Sequence, residues 1–337
     1  MNYTYKFPVV RGIQAGREYY IAMVPLKMLI KLFPNEEEYV LPEYRAQRKI
    51  SENRIPVIKK YILNNRDNYV FSALAASIDG DYHFIELNEM GLGTLEVSMD
   101  AKFLINDGQH RKAAILAAIA EAEELGEETI SVVFYEDRGL ARSQQMFTDL
   151  NKHAVKTSNS IAELYDSRDA IAVVTRSVIE KNKFLNEYTD KEKDILGKYS
   201  SCLFTLNTFY NANKRILQKK KVTDYDEEFL VRFWGCVTQN IVLWHDLVNR
   251  EITKSDLREK YVVNQSIIIQ ALALVGREIY TDESINMEAV CENLRNVDWS
   301  RSAKVWQGKI INDNGRIMAG EKAIVAAAEE IKTTIGL

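Results

Sequence analysis

The residues best suited to chemistry are Asp107, Gly108, Gln109, His110 and Arg111, in the stretch "FLINDGQHRKAAIL" at 103–116. A glycine there lets the backbone turn sharply between an apolar run and an alanine-rich one. The three residues after it open a helix, where main-chain N–H groups lack partners and the dipole is positive. Anions bind readily at such a terminus. Arg111 adds a planar fork suited to phosphate, and His110 can exchange a proton near neutral pH. Asp107 can orient His110 or help hold a metal ion with a bound nucleotide, and Gln109 offers an amide to a base, a phosphate or water. The competing reading is structural: Asp107 caps the helix, and His110 and Arg111 are solvated first-turn residues. Residue chemistry alone leaves both open.

The flanking elements form a strand–turn–helix–strand unit. "AKFLIN" (101–106) reads as a strand, "GQHRKAAILAAIAEAEEL" (108–125) as a helix stopped by Gly126, and "TISVVFYE" (129–136) as a strand. Upstream, "EYYIAMVPL" (18–26) is rich in strand formers, and "NYVFSALAASIDGDYHFIEL" (68–87) reads as a hairpin turning at Asp79-Gly80. Pro56 fits the first turn of a helix that begins around Asn53. Ser158 or Asn159 is expected to cap a helix over 160–182. The charged break "NEYTDKEKD" (186–194) places a domain join near 190. Beyond it the pattern is helical: Phe229, Phe233, Val237, Ile241, Trp244 and Val248 share one face, and 265–280 and 320–335 are further apolar helices.

Composition narrows the function classes. The 337 residues carry 44 basic and 48 acidic side chains, a net charge of −4, so any nucleic-acid contact must use a local patch. Cys202, Cys236 and Cys291 form no CxxC pair, and are expected to be buried free thiols. The four histidines show no HxxxH or HExxH spacing, so no metal site is expected. A P-loop, a GxSxG elbow and the kinase motifs are missing. No apolar window is long enough for a membrane span, and the polar start "MNYTYKFPVVRG" resembles no export or organelle presequence, which gives a cytoplasmic expectation.

Two basic clusters are candidate DNA contacts. Arg45, Arg48, Lys49 and Arg54 precede Lys59 and Lys60, and Lys214, Arg215, Lys219, Lys220 and Lys221 form the densest positive run. Each has a plainer reading, as an ion-paired helix face and a solvated helix end. Trp299 and Trp306, near Arg301 and Lys304, suit base stacking less well than a place in the core. No zinc-finger, homeodomain or basic-zipper signature is present.

The pentapeptide at 107–111 resembles, without substitution, the signature of the DGQHR-domain family. "GIQAGREYYIAMVPL" (12–26), "YRAQRKISENRIPVIKKYI" (44–62) and "MFTDLNKHA" (146–154) are similar to that family's start, basic segment and post-motif helix. At full length, including "DWSRSAKVWQG" (298–308), the chain is most similar to the DndB branch, the DNA sulfur (phosphorothioate) modification proteins. The resemblance implies an α+β protein: a ParB/sulfiredoxin-like α/β domain over 1–190, followed by an all-α domain over 191–337. It implies a DNA-binding negative regulator of the modification genes, with their promoter as partner and the other modification proteins as further candidates. A homo-oligomer is expected because repressors commonly pair on palindromic sites. Related DGQHR proteins imply an alternative, nucleotide hydrolysis or DNA nicking, with Asp107, His110 and Arg111 catalytic. A nucleotide is then a compatible ligand; the sequence specifies no cofactor.

Overall fold

The computed structural model describes residues 3–34, 52–136, 145–146, 148–150, 157–219 and 221–337. Packing divides the chain into two compact units, Met1–Val155 and Lys156–Leu337.

The first unit is built on seven strands: β1 (Thr4–Gln14), β2 (Arg17–Pro25), β3 (Leu74–Asp79), β4 (Tyr82–Glu86), β5 (Leu92–Ser98), β6 (Lys102–Asp107) and β7 (Thr129–Glu136). They form one mixed sheet in the order β4-β5-β1-β2-β7-β3-β6, in which β3 and β7 run parallel and the other pairs antiparallel. Helices α1 (Leu29–Leu32), α2 (Ile55–Asn64) and α3 (Gln109–Ile119) accompany it. Pro56 falls in the first turn of α2, where its missing N–H is no loss.

The hairpin expected at Asp79-Gly80 does not form. Strand β3 pairs with β6 and β7, whereas β4 pairs with β5 at the far edge of the sheet. Five strand spacings separate β3 from β4 in the sheet order, about 24 Å in a flat sheet. The link from Asp79 to Tyr82 spans three Cα steps, about 11 Å at most. The sheet must therefore curl until its edges approach, a partly closed barrel. Phenylalanines fill its interior: the Phe7 ring of β1 lies 5.4 Å from Phe134 of β7 and 6.4 Å from Phe103 of β6. Strand β1 accommodates Pro8, which stands one residue before the β1–β2 ladder begins at Val9 and so removes no bond from that ladder.

Helix α3 also ends earlier than expected, at Ile119, and Gly126 lies in a following 3-10 turn over Glu123–Glu127, without the left-handed conformation of a helix cap.

The second unit contains ten helices among the described residues: α4 (Asn159–Tyr165), α5 (Ala170–Lys181), α6 (Lys183–Tyr188), α7 (Leu206–Leu217), α8 (Asp224–Asn240), α9 (Val242–Val248), α10 (Lys254–Lys260), α11 (Ser266–Thr281), α12 (Met287–Glu292) and α13 (Glu321–Ile335). It is not wholly helical, since Thr189–Asp190 and Phe204–Thr205 pair as two short parallel strands. Residues 157–190 pack here and not with the first unit: Ile171, Val174 and Val178 belong to the same core as Phe209 and Phe233. That is why the division falls at 155/156 and not at the charged break near 190. The single helix expected over 160–182 is two, because Asp169 caps α5 through the N–H groups of Ile171 and Ala172, while Ser158 caps α4.

The apolar face read across 226–248 buries Phe229, Phe233, Val237, Ile241 and Trp244 but leaves Val248 exposed. The break at Ile241, which separates α8 from α9, shifts the helical phase. Trp299 and Trp306 are buried and stacked, with the Trp306 indole N–H donating to the Asp298 carbonyl at 2.7 Å, so they serve the core. All three cysteines are free, but only Cys291 is buried, and burial pushes its thiol up to about 12. Among the described residues no helix is long and apolar enough to cross a membrane.

Candidate functional site

The motif sits where β6 meets α3. The β3–β6 register slips between Ala75 and Ala76, which face Asp107 and Ile105, so Asn106 is the extra residue of a bulge. A bulge re-aims the side chains beside it. Gly108 follows with φ 103°, a left-handed conformation that favours glycine, and a Cβ there would press on the end of the Leu74 side chain.

Arg111, one helical turn on, reaches back over this corner. Its Nη2 donates to Asp107 Oδ2 at 2.6 Å, and its Nη1 donates to the Ser72 carbonyl and hydroxyl at 2.6 Å each and to the Ala73 carbonyl at 2.8 Å. The side chain is only 17% exposed. The guanidinium thus ties the segment before β3, the end of β6 and the start of α3 together. Asp107 is its counter-ion and not a helix cap. Indeed α3 has no side-chain cap at its N-terminus.

The rest of the motif is placed differently. Gln109 and His110 are half-buried in the uncapped first turn. Burial, and then the positive charge of Arg54, hold the His110 imidazole below the usual histidine range, so it is neutral at pH 7. Arg54 ends the 3-10 turn Glu52–Arg54 that leads into α2, and it is exposed. The structure therefore brings Arg54 to the start of α3, a relation that no sequence spacing disclosed. Lys60 is exposed on α2, while Lys59 is paired with Glu121. Arg66 bonds Glu124 at 3.0 Å and Glu128 at 3.3 Å, which fixes the segment after α2 against the turn after α3. Arg45, Arg48 and Lys49 lie outside the described residues.

The second basic run divides in a similar way. Arg215 grips Glu321 with two bonds of 2.5 and 3.0 Å. Lys219 Nζ lies 2.6 Å from the buried Asp226 carboxylate and donates to Tyr280 Oη at 2.8 Å. Burial alone would raise Asp226, but Lys219, Tyr280 and Thr223 outweigh it and bring the carboxyl down to about 2. Lys214 and Lys221 are exposed, the former 5.6 Å above the Tyr210 ring, and Lys220 lies outside the described residues.

Residues 7–337 match the family described as DndB, DNA-sulfur modification-associated. The chain belongs to that family. No curated protein and no solved structure matches it at a significant level. Membership ties the protein to DNA sulfur modification, and the DndB family match takes in both the motif corner and the helical unit.

One buried group of this DndB-family chain carries no sequence signal. Glu163 on α4 accepts a bond from Asn207 Nδ2 at 2.6 Å, while its Oε2 is buried without a partner. Burial, with Asp194 and Asp169 nearby, outweighs Asn207 and Lys214 and pushes the carboxyl up to about 7. No cluster of three metal-ligating side chains occurs among the described residues.

Proposed function

We propose that this protein is a DNA-binding negative regulator of the sulfur-modification genes. The observation that carries the reading is family membership over residues 7–337. A net charge of −4 demands a local contact surface, and the α2–α3 corner offers one: Arg54 exposed beside a helix N-terminus without a side-chain cap, and Lys60 exposed further along α2. Lys214 and Lys221 supply a second set of cations for phosphates. The motif corner, a strand, a left-handed glycine and a helix, is the part we read as ParB/sulfiredoxin-like. Binding as a homo-oligomer to a palindromic promoter follows from the repressor role.

The hydrolase or nickase alternative asks Arg111 to stabilise charge on a phosphoryl oxygen. That guanidinium is already engaged with Ser72, Ala73 and Asp107, which favours the regulator. The test is a mobility shift with the promoter of the modification genes against a scrambled fragment. The regulator retards the promoter selectively and loses affinity steeply as salt rises. Equal retardation of both fragments at physiological salt contradicts the reading.

A further inference from the structure

Two of the three cysteines meet on a seam of the helical unit, far in sequence from the motif. Positions 232, 236 and 240 follow one another at single turns along one face of α8. The first and last are tied to α12 and the turn after it. Arg232 Nη2 bonds Glu288 Oε1 at 2.6 Å, and Arg295 Nε donates to Asn240 Oδ1 at 2.9 Å. Cys236 stands between these ties on α8, and Cys291 between their partners. The register therefore brings the two thiols together, and they are hydrogen-bonded to each other. Asn293 Nδ2 donates to the Ile335 carbonyl at 2.9 Å, which fastens the same segment to α13. Thiols in such contact have little distance to close before an S–S bond of about 2 Å forms.

The two differ in access. Cys236 is half-buried, whereas Cys291 is 2% exposed. A reagent from solution thus meets Cys236 first, and Cys291 has only to reach the neighbouring sulfur. Burial raises both thiols, so they ionise seldom, but a thiolate of high pKa is a strong nucleophile and proximity supplies a high effective concentration. A low-molecular-weight disulfide is a fitting oxidant. Cys236 Sγ, as thiolate, attacks one of its sulfurs, the S–S bond breaks, and one small thiol leaves with the proton that Cys236 gave up. Cys291 Sγ then attacks Cys236 Sγ, and the second small thiol leaves with the proton of Cys291. Two protein sulfurs are oxidised and two reagent sulfurs reduced, so nothing else is consumed. No third metal-ligating side chain joins the pair among the described residues, so it suits oxidation better than a thiolate-held metal ion.

We infer that Cys236 and Cys291 form a reversible dithiol–disulfide pair, oxidised by a low-molecular-weight disulfide, that locks α8 to α12 covalently. The oxidised form closes the chain from 236 to 291 and so restricts its unfolded state. The inference is independent of DNA binding. In the test, the folded full chain is incubated at pH 8 with glutathione disulfide, and its linkages are mapped by mass spectrometry beside those of the chain oxidised in guanidinium. The native chain is expected to link Cys236 to Cys291, whereas the unfolded chain favours Cys202 with Cys236, the shorter loop. Cys291→Ala should stop as the mixed disulfide at Cys236, and Cys236→Ser, at the more accessible member, should leave Cys291 reduced. Oxidation should raise the melting temperature by about 8 °C, and dithiothreitol should reverse the gain. Melts of the reduced variants confirm that each is folded. A native wild-type chain that stops at the mixed disulfide, links Cys202 instead or stays reduced overturns the proposal, as does a linked chain whose melting temperature is unchanged or lowered.

Discussion

Arg54 at the head of α2 is exposed beside the start of α3, whereas Lys219, just past the end of α7, is bound to a buried carboxylate and a tyrosine hydroxyl. In sequence both belong to runs of basic residues that look alike. The difference lies in what the fold supplies nearby. Asp226, third in the first turn of α8, bonds Thr223 in a capping box and serves Lys219 as counter-ion. Arg215 is gripped by Glu321, more than a hundred residues away, and Arg111 by Asp107, Ser72 and Ala73. A basic run thus overstates the charge left for a ligand, and among the described residues of the two runs the remaining charge concentrates on Arg54, Lys60, Lys214 and Lys221.

If that division is right, locked cations govern stability and exposed ones govern binding. The largest effect is expected from Arg111→Ala. It removes the four bonds that tie the segment before β3, the end of β6 and the start of α3 together, and should lower unfolding free energy by about 3 kcal/mol in denaturant titration. A folded variant of unchanged stability would show that the clamp is not structural.

Lys219→Ala should come next, at about 2 kcal/mol, because it leaves Asp226 buried beside only hydroxyls and an amide. Its sign with pH is fixed. Asp226 titrates near 2 in the folded state, below the ordinary carboxyl range, so the stability it contributes is present above about pH 4 and is lost as pH falls toward 2. The gap between wild type and variant should therefore narrow in acid.

Glu163 has the opposite sign. Its folded value near 7 exceeds the ordinary 4.5, so the folded chain retains a proton that the unfolded chain releases, and stability declines as pH rises through that window. Glu163→Gln mimics the protonated form and should stabilise the protein by about 2 kcal/mol at pH 8, with no gain at pH 4. Melting curves at the two values check it, and a uniform shift at both would reject the assignment.

Arg54→Ala should change stability by less than about 0.5 kcal/mol, as expected for an exposed side chain. Its effect should appear in DNA binding instead.

Much of the scaffold was legible, because strand formers, periodic apolar residues and Pro56 are local signals. Strands β2, β6 and β7 and helices α2 and α11 fall where those signals place them. What escaped was long-range pairing. Asp79-Gly80 has the chemistry of a hairpin, but pairing with β7 and β6 takes β3 away from β4. The motif corner was legible in outline: Gly108 turns left-handed and α3 starts after it. The fate of Arg111 was not, since Ser72 and Ala73 offer main-chain carbonyls that no residue type announces. Nor was the pairing of Tyr19 with Tyr135, set by a register between strands over a hundred residues apart.

The central claim is that exposed cations at the α2–α3 corner contact DNA phosphates while the locked ones do not. It is tested most directly by the salt dependence of promoter affinity for wild type, Arg54→Ala/Lys60→Ala and Lys219→Ala, each confirmed folded. The account predicts that the slope of log affinity against log salt becomes shallower by about 2 in the Arg54/Lys60 variant, one phosphate per cation, and stays at the wild-type value in Lys219→Ala. An unchanged slope in the first variant, or an equal loss in the second, contradicts it.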